Sequence, residues 1–178
     1  MSVVVAKETK NEFLIINIIN QKKSIMPNTY HQLYIQIVFA VKGRQNFVKE
    51  SFREEVQKYI SGIIAEKKQK LYAIYCMPDH THIFVSINPD ITISDLTRDI
   101  KSKSSSFIKN KKFVPEFEWQ KGFGAFSYSK SQAKTVVDYI LNQPKHHKNR
   151  SFKQEYIDFL KKFEIDYEEK YLFEFYED

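Results

Sequence analysis

The stretch Met77-Pro78-Asp79-His80-Thr81-His82-Ile83-Phe84-Val85-Ser86-Ile87 carries two histidines two residues apart at the head of an apolar, β-branched run. Such a run reads as a strand, whose side chains alternate between faces. His80, His82, Phe84 and Ser86 therefore share one face, while Thr81, Ile83, Val85 and Ile87 share the other, which is apolar enough to be core. Two neutral imidazoles on one rigid face provide half of a divalent-metal site. The same spacing also suits two ordinary hydrogen-bonded histidines, so the rest of the chain has to decide between them.

Working outward, Pro78-Asp79 separates this strand from Lys70–Met77 and predicts a hairpin. Gln32 to Val41 alternates cleanly, with Leu33, Ile35, Ile37, Phe39 and Val41 on a core face and Tyr34 and Gln36 on a polar, accessible face. Ser51-Phe52-Arg53-Glu54 matches a capping box, followed at helical spacing by Phe52, Val56, Tyr59, Ile60, Ile63 and Ile64. Ser94 is placed to cap a second helix whose buried stripe is Ile93, Leu96, Ile100, Phe107 and Ile108. Phe117 to Tyr128 reads as a fourth strand bent at Gly122-Phe123-Gly124. The order strand, helix, strand, strand, helix, strand is the ferredoxin-like split β-α-β pattern, an α+β fold with an antiparallel sheet and both helices on one face. Tyr34, Gln36, His80, His82 and Phe84 then lie on the sheet's other face, expected to be open.

With 178 residues, 42% of them hydrophobic, the chain supports one core of ordinary size. Residues 1–27 read as a weakly ordered arm, 28–150 as the domain, and 151–178 as a C-terminal helix and acidic, aromatic tail packed on it. The single Cys76 excludes an internal disulfide and a cysteine-rich zinc site. No apolar run approaches a membrane span and no export signal is visible, which points to the cytoplasm. The formal charge is +6, although Glu164 to Asp178 holds seven acids against Lys170 alone. Positive charge gathers at Lys101, Lys103, Lys109, Lys111 and Lys112, and again at Lys145, Lys148, Arg150 and Lys153. A polyanionic partner such as nucleic acid follows from that distribution. The adjacent His146 and His147, flanked by lysines, read as phosphate or solvent contacts. The acidic tail suggests a cover for a basic surface that limits nonspecific DNA binding.

A third helix starts near Ser129 or Ser131, with Ala133, Val136, Val137, Ile140 and Leu141 as its apolar stripe. Tyr139 and Gln143 fall off that stripe as an i, i+4 pair. The block Met77 to Val85 with its two histidines, followed by Tyr139-Ile140-Leu141-Asn142-Gln143 on a helix, resembles the single-tyrosine HUH transposases, bacterial insertion-sequence and REP-associated enzymes acting on single-stranded DNA. The resemblance spans about Tyr30 to Gln143 and includes Val41-Lys42-Gly43-Arg44 and Trp119-Gln120-Lys121-Gly122-Phe123. Thr81 stands between the histidines where the family carries a large apolar residue.

The resemblance implies that Tyr139 is the nucleophile and that His80, His82 and Gln143 hold Mg2+ or Mn2+. It also implies a 5′-phosphotyrosine intermediate with a free 3′-hydroxyl, a DNA partner with hairpin ends, and a homodimer whose active sites can be completed in trans. Arg44, Lys101, Lys103, Lys145, Lys148 and Arg150 are the candidate DNA contacts. A non-catalytic or domesticated hairpin-binding protein of the same fold is the alternative. The same strand order also serves single-strand RNA binders that stack bases on sheet aromatics.

Overall fold

The structure, a computed structural model, describes residues 30–43 and 47–175. The arm at 1–27, Arg44 and the last three residues of the acidic tail lie outside the described residues. Four strands form one antiparallel sheet: β1 (Tyr34–Ala40), β2 (Lys70–Cys76), β3 (His80–Ser86) and β4 (Gly124–Tyr128), in spatial order β2-β3-β1-β4. Helices α1 (Glu50–Glu66) and α2 (Ile93–Asn110) cover one face. Ile35, Ile37, Phe39, Ile83 and Val85 project there into a core with Val56, Ile60, Ile64, Leu96 and Ile100. This is the ferredoxin-like arrangement that the strand order requires.

The opposite face differs from expectation. All seven residues of β1 are buried, because α3 (Ala133–Leu141) and α5 (Phe152–Lys162) lie across it. Tyr34, Ala73 and Phe84 pack under Ala133, Val136 and Ile140 of α3. Val38, Ala40 and Phe126 pack under Phe152, Tyr156, Phe159 and Leu160 of α5, joined by Phe173 and Phe175 of the tail. Fully burying each such apolar side chain contributes about 1.5–3 kcal/mol, enough to close the face. The polar residue Gln36 hides there because its amide is satisfied from within, by His82 at 3.0 Å and by the Tyr128 hydroxyl at 2.9 Å.

Several boundaries also move. Helix α1 begins at Glu50, with no side-chain cap from Ser51, because the Val48 N–H bonds the Pro78 carbonyl at 3.0 Å and anchors the chain ahead of the capping-box residues. Thr92 rather than Ser94 caps α2, accepting from the Asp95 N–H at 3.0 Å. The fourth strand is only five residues long: Gly122 takes φ +77°, which turns the chain, and Trp119 makes a lone bridge to Val41. The expected third helix breaks after Leu141. Pro144 cannot donate to its backbone ladder, and Gln143 instead opens the short helix α4 (Gln143–His146). The tail packs through its aromatics and through backbone groups of Glu174, which exchange two 2.7 Å hydrogen bonds with the Gln120 amide.

Gly124 lies tightly beneath α5, since a Cβ there would meet Tyr156 Cε2 at 2.9 Å, as well as Phe126 Cε2 of its own strand at 3.0 Å. Gly124→Ala should lower stability by about 1–3 kcal/mol through overpacking, read as a lower urea midpoint. An unchanged midpoint would show that Tyr156 has slack to yield.

Candidate active site

Strand alternation puts His80 and His82 side by side on the α5 face, with ring centroids 5.0 Å apart and both side chains fully buried. Across the ladder their partners are Ala40 and Val38, small enough to leave the rings room. Each ring is fixed through Nδ1. His80 Nδ1 donates to Asp79 Oδ1 at 2.7 Å, and burial of Asp79, which alone would raise its carboxyl, is outweighed by that bond, so its pKa is lowered. His82 Nδ1 faces Gln36 Nε2 at 3.0 Å. Both Nε2 atoms are buried without a hydrogen-bond partner, and both point toward the same carboxylate.

That carboxylate is Glu155, in the first turn of α5. Its Oε2 lies 3.3 Å from His82 Nε2, 3.6 Å from His80 Nε2 and 3.1 Å from His147 Nε2. Its Oε1 accepts from Tyr139 Oη and, at 2.8 Å, from Gln143 Nε2. Burial alone would raise the Glu155 carboxyl, but the positive character and N–H donors of the surrounding histidines outweigh it and hold the acid well below its usual range. Burial lowers His82 from its ordinary value, opposed by Glu155. Burial first, and the Glu155 charge second, push the Tyr139 phenol up.

The structure therefore brings His80, His82, Tyr139 and Gln143 of one chain together, although Tyr139 and Gln143 now sit on two helices. His82 and Tyr139 ring centroids are 6.2 Å apart. Gln143, expected off the core face, is fully buried, and its Oε1 has no partner. His147 is not the phosphate or solvent contact that its lysine neighbours suggest: it turns inward to Glu155, while His146 lies exposed beside the Tyr139 ring.

The basic residues divide. Arg150 lines a cavity next to Tyr139 and pairs with Asp158. Lys145 and Lys148 are exposed in the segment between α3 and α5. Lys101 and Lys103 sit on α2, across the sheet. Lys101 donates to the Gly122 carbonyl at 2.7 Å, and burial lowers its pKa. Lys103 pairs with Glu66 at 3.0 Å.

Glu155 is the residue that sequence reasoning missed. It shares a helical stripe with Phe152, Tyr156, Phe159 and Leu160, and all five are buried. An acid at a core position of an aromatic helix must find donors or a cation; that spacing was the available signal. His80, His82 and Glu155 form a cluster whose ligand atoms lie within 4.8 Å of one another, a spacing able to hold a metal ion.

Residues 29–143 match the family described as transposase IS200-like. The chain belongs to that family. It is similar to the transposases of insertion element IS200 from Salmonella typhimurium and Salmonella typhi, each 26% identical over 128 residues, covering 68% of this chain and 83% of the relative. Among solved structures it resembles one assigned to a transposase of Deinococcus radiodurans, with TM-score 0.54, 18% identity, and 67% of this chain and 97% of that one covered. A REP-associated tyrosine transposase bound to a REP hairpin also matches, with TM-score 0.52, 17% identity, and 70% and 74% coverage. These likenesses share the α+β fold. The family match ends at Gln143, so Glu155 and His147 lie beyond it. Among the described residues no helix is long and apolar enough to cross a membrane.

Glu155→Ala should lower the stability of metal-free protein by about 2–4 kcal/mol, because about 1–3 kcal/mol attaches to each buried donor left unpaired. Glu155→Gln should recover only part of this, since its amide turns an N–H toward donors. Urea unfolding in EDTA measures both.

Proposed function

We propose that this transposase cleaves and rejoins single-stranded DNA with Tyr139 as nucleophile, and that His80, His82 and Glu155 hold a divalent ion beside it. The observation that carries the reading is the convergence of the Tyr139 hydroxyl and the two histidine Nε2 atoms on one buried carboxylate.

The donor set fits a cation. Two imidazole nitrogens with no hydrogen-bond partner and one ionised carboxylate lie within 4.8 Å of one another, and Gln143, whose Nε2 donates to that carboxylate, has an unpartnered Oε1. Gln143, which the family resemblance makes a ligand, keeps that carbonyl free for the same role. Mixed nitrogen and oxygen ligands suit Mn2+, with Mg2+ as the harder alternative. An ion bound there would act as a Lewis acid on the scissile phosphate.

The chain's own groups do the rest. The Tyr139 oxygen forms a bond to phosphorus and the bond from phosphorus to the 3′ oxygen breaks. The phenol proton leaves to solvent as the bond forms, and Glu155 Oε1, held too acidic to keep it, orients the hydroxyl through the hydrogen bond it accepts. The departing 3′ oxygen takes up a proton from water as a free hydroxyl, and attack by another 3′-hydroxyl on the phosphotyrosine reverses the step without an energy cofactor. Because burial and the Glu155 charge raise the phenol, little phenolate exists beforehand. Proton transfer and attack therefore belong to one event.

The two histidines are prepared differently. His80, donating through Nδ1 to Asp79, keeps the Nε2 lone pair a cation needs. His82 accepts from Gln36 Nε2 and so carries its proton on Nε2, toward Glu155. To ligate through Nε2 it must move the proton to Nδ1, and Gln36 must present Oε1 there. The Gln36 amide can turn over because the Tyr128 hydroxyl, its partner at the other end, can accept as well as donate.

A hairpin-bearing single-stranded oligonucleotide, the kind of partner bound in the REP-associated relative, is the substrate to test. With Mn2+ or Mg2+ the full chain should become covalently attached to it, and EDTA should abolish the adduct. Tyr139→Phe should form none; an undiminished adduct would remove Tyr139 from its role, and binding without an adduct under any metal would favour a hairpin-binding protein. Gln36→Leu should weaken Mn2+ binding, followed by electron paramagnetic resonance without DNA, by about 10–100-fold, as loss of a group orienting a metal-bound histidine does. Affinity equal to that of the unaltered protein would show that Gln36 does not orient His82.

A further inference from the structure

We infer that the cavity beside Tyr139 seats the base of a nucleotide that flanks the scissile phosphate. The inference rests on the reading of Tyr139 as the nucleophile for its place in the reaction, though not for its test.

The cavity has a volume of about 250 Å³ and runs between α3 and α5. Sites for drug-sized ligands occupy about 300–1,000 Å³; this one suits a single base and part of its sugar. Val136 and Phe159 give it apolar walls from opposite helices, and the Tyr128 and Tyr139 rings add flat surface. Every base has a π face, so such walls accept one whatever its identity.

Its polar groups lie where a base edge would need them. Gln36, fully buried, lines the cavity with an amide whose Nε2 engages His82 and whose Oε1 accepts from Tyr128. One amide hydrogen and one lone pair remain, as do the lone pairs of the Tyr128 oxygen. The cavity wall therefore contains a donor beside an acceptor, the pattern that reads a base edge, and because Gln36 is fully buried a base must part the lining to reach its amide. Burial also pushes the Tyr128 hydroxyl up, so it stays protonated.

The rest of the lining suits a nucleotide as well. Arg150 and Lys162 stand with Glu155 and Tyr139 around the same cavity. Arg150 is paired with Asp158, yet its five N–H donors exceed what one carboxylate takes up. A base held between α3 and α5 would leave its phosphate among these cations and next to the Tyr139 oxygen. The Gln36 amide belongs both to this cavity and to the support of His82. A base that reaches this amide would thereby touch the group that sets which His82 nitrogen bears the proton.

The test uses the four deoxynucleoside 5′-monophosphates as probes of the full chain, with 2-deoxyribose 5-phosphate and inorganic phosphate as controls. The readout is the methyl resonances of Val136 in a carbon-13 spectrum, with the methyls of Ile60, on the far side of the sheet, as reference. At least one nucleotide should shift Val136 saturably and leave Ile60 in place, while both controls leave Val136 unmoved. Thr135→Trp, at an exposed position on the cavity lining, should raise the apparent Kd at least tenfold. Lys162→Trp, exposed on the opposite helix, serves the same purpose if the first variant disturbs the Ile60 resonances. Equal shifts from deoxyribose phosphate would reduce the site to a phosphate contact, and an unmoved Val136 with all four nucleotides would overturn the proposal. No cleavage is measured, so loss of the nucleophile assignment would leave this result standing.

Discussion

The Glu155 carboxylate, buried between a sheet and a helix, is the constraint on which the rest of this structure turns. An ionised acid removed from water costs several kcal/mol unless donors surround it. Here the donors come from α3 (Tyr139), α4 (Gln143) and the turn after it (His147), and the β3 histidine rings close the shell at 3.3 and 3.6 Å. Satisfying one charge thus fixes the relative positions of four segments. The aromatic residues of α5 supply the adhesion, and Glu155 supplies the registration: a slide of the helix along the sheet would strand the carboxylate among apolar side chains.

The same arrangement sets the chemistry. Because each histidine is held by its Nδ1, each Nε2 is aimed inward. The orphaned state of those nitrogens is costly in a protein with no further partner for them, and is what a cation site looks like before the cation is considered. Tyr139 sits in the same shell, so the proposed nucleophile and the proposed ligand atoms lie together within this chain. The layer formed by α3 and α5 also encloses the neighbouring cavity, making it a walled seat rather than an open sheet surface.

Much of this was legible in the sequence, for reasons that can be named. The alternation in Gln32–Val41 and in the histidine strand gave the strands and assigned their faces, because a pleated strand admits only two. The 3.6-residue spacing of Val56, Ile60 and Ile63 gave α1, and the split β-α-β order gave the sheet. Family resemblance picked out Tyr139 and Gln143. Boundaries moved where tertiary contacts overrode local signals: Val48 anchored on Pro78 ahead of the Ser51 capping box, Gly122 shortening β4, and Pro144 dividing the tyrosine helix.

The sequence by itself determined the alternation that puts His80 and His82 on one face, the helical stripes and the excess of positive charge, because these are properties of local geometry and composition. Only the tertiary structure decided that the expected open face is closed, and that Glu155, sixteen residues past Tyr139, completes the cluster. A helix's apolar stripe says that it must be buried without saying against what. Once α5 lies across β1 and β3, the single acid in that stripe has one place to go, and that place is between the two histidines.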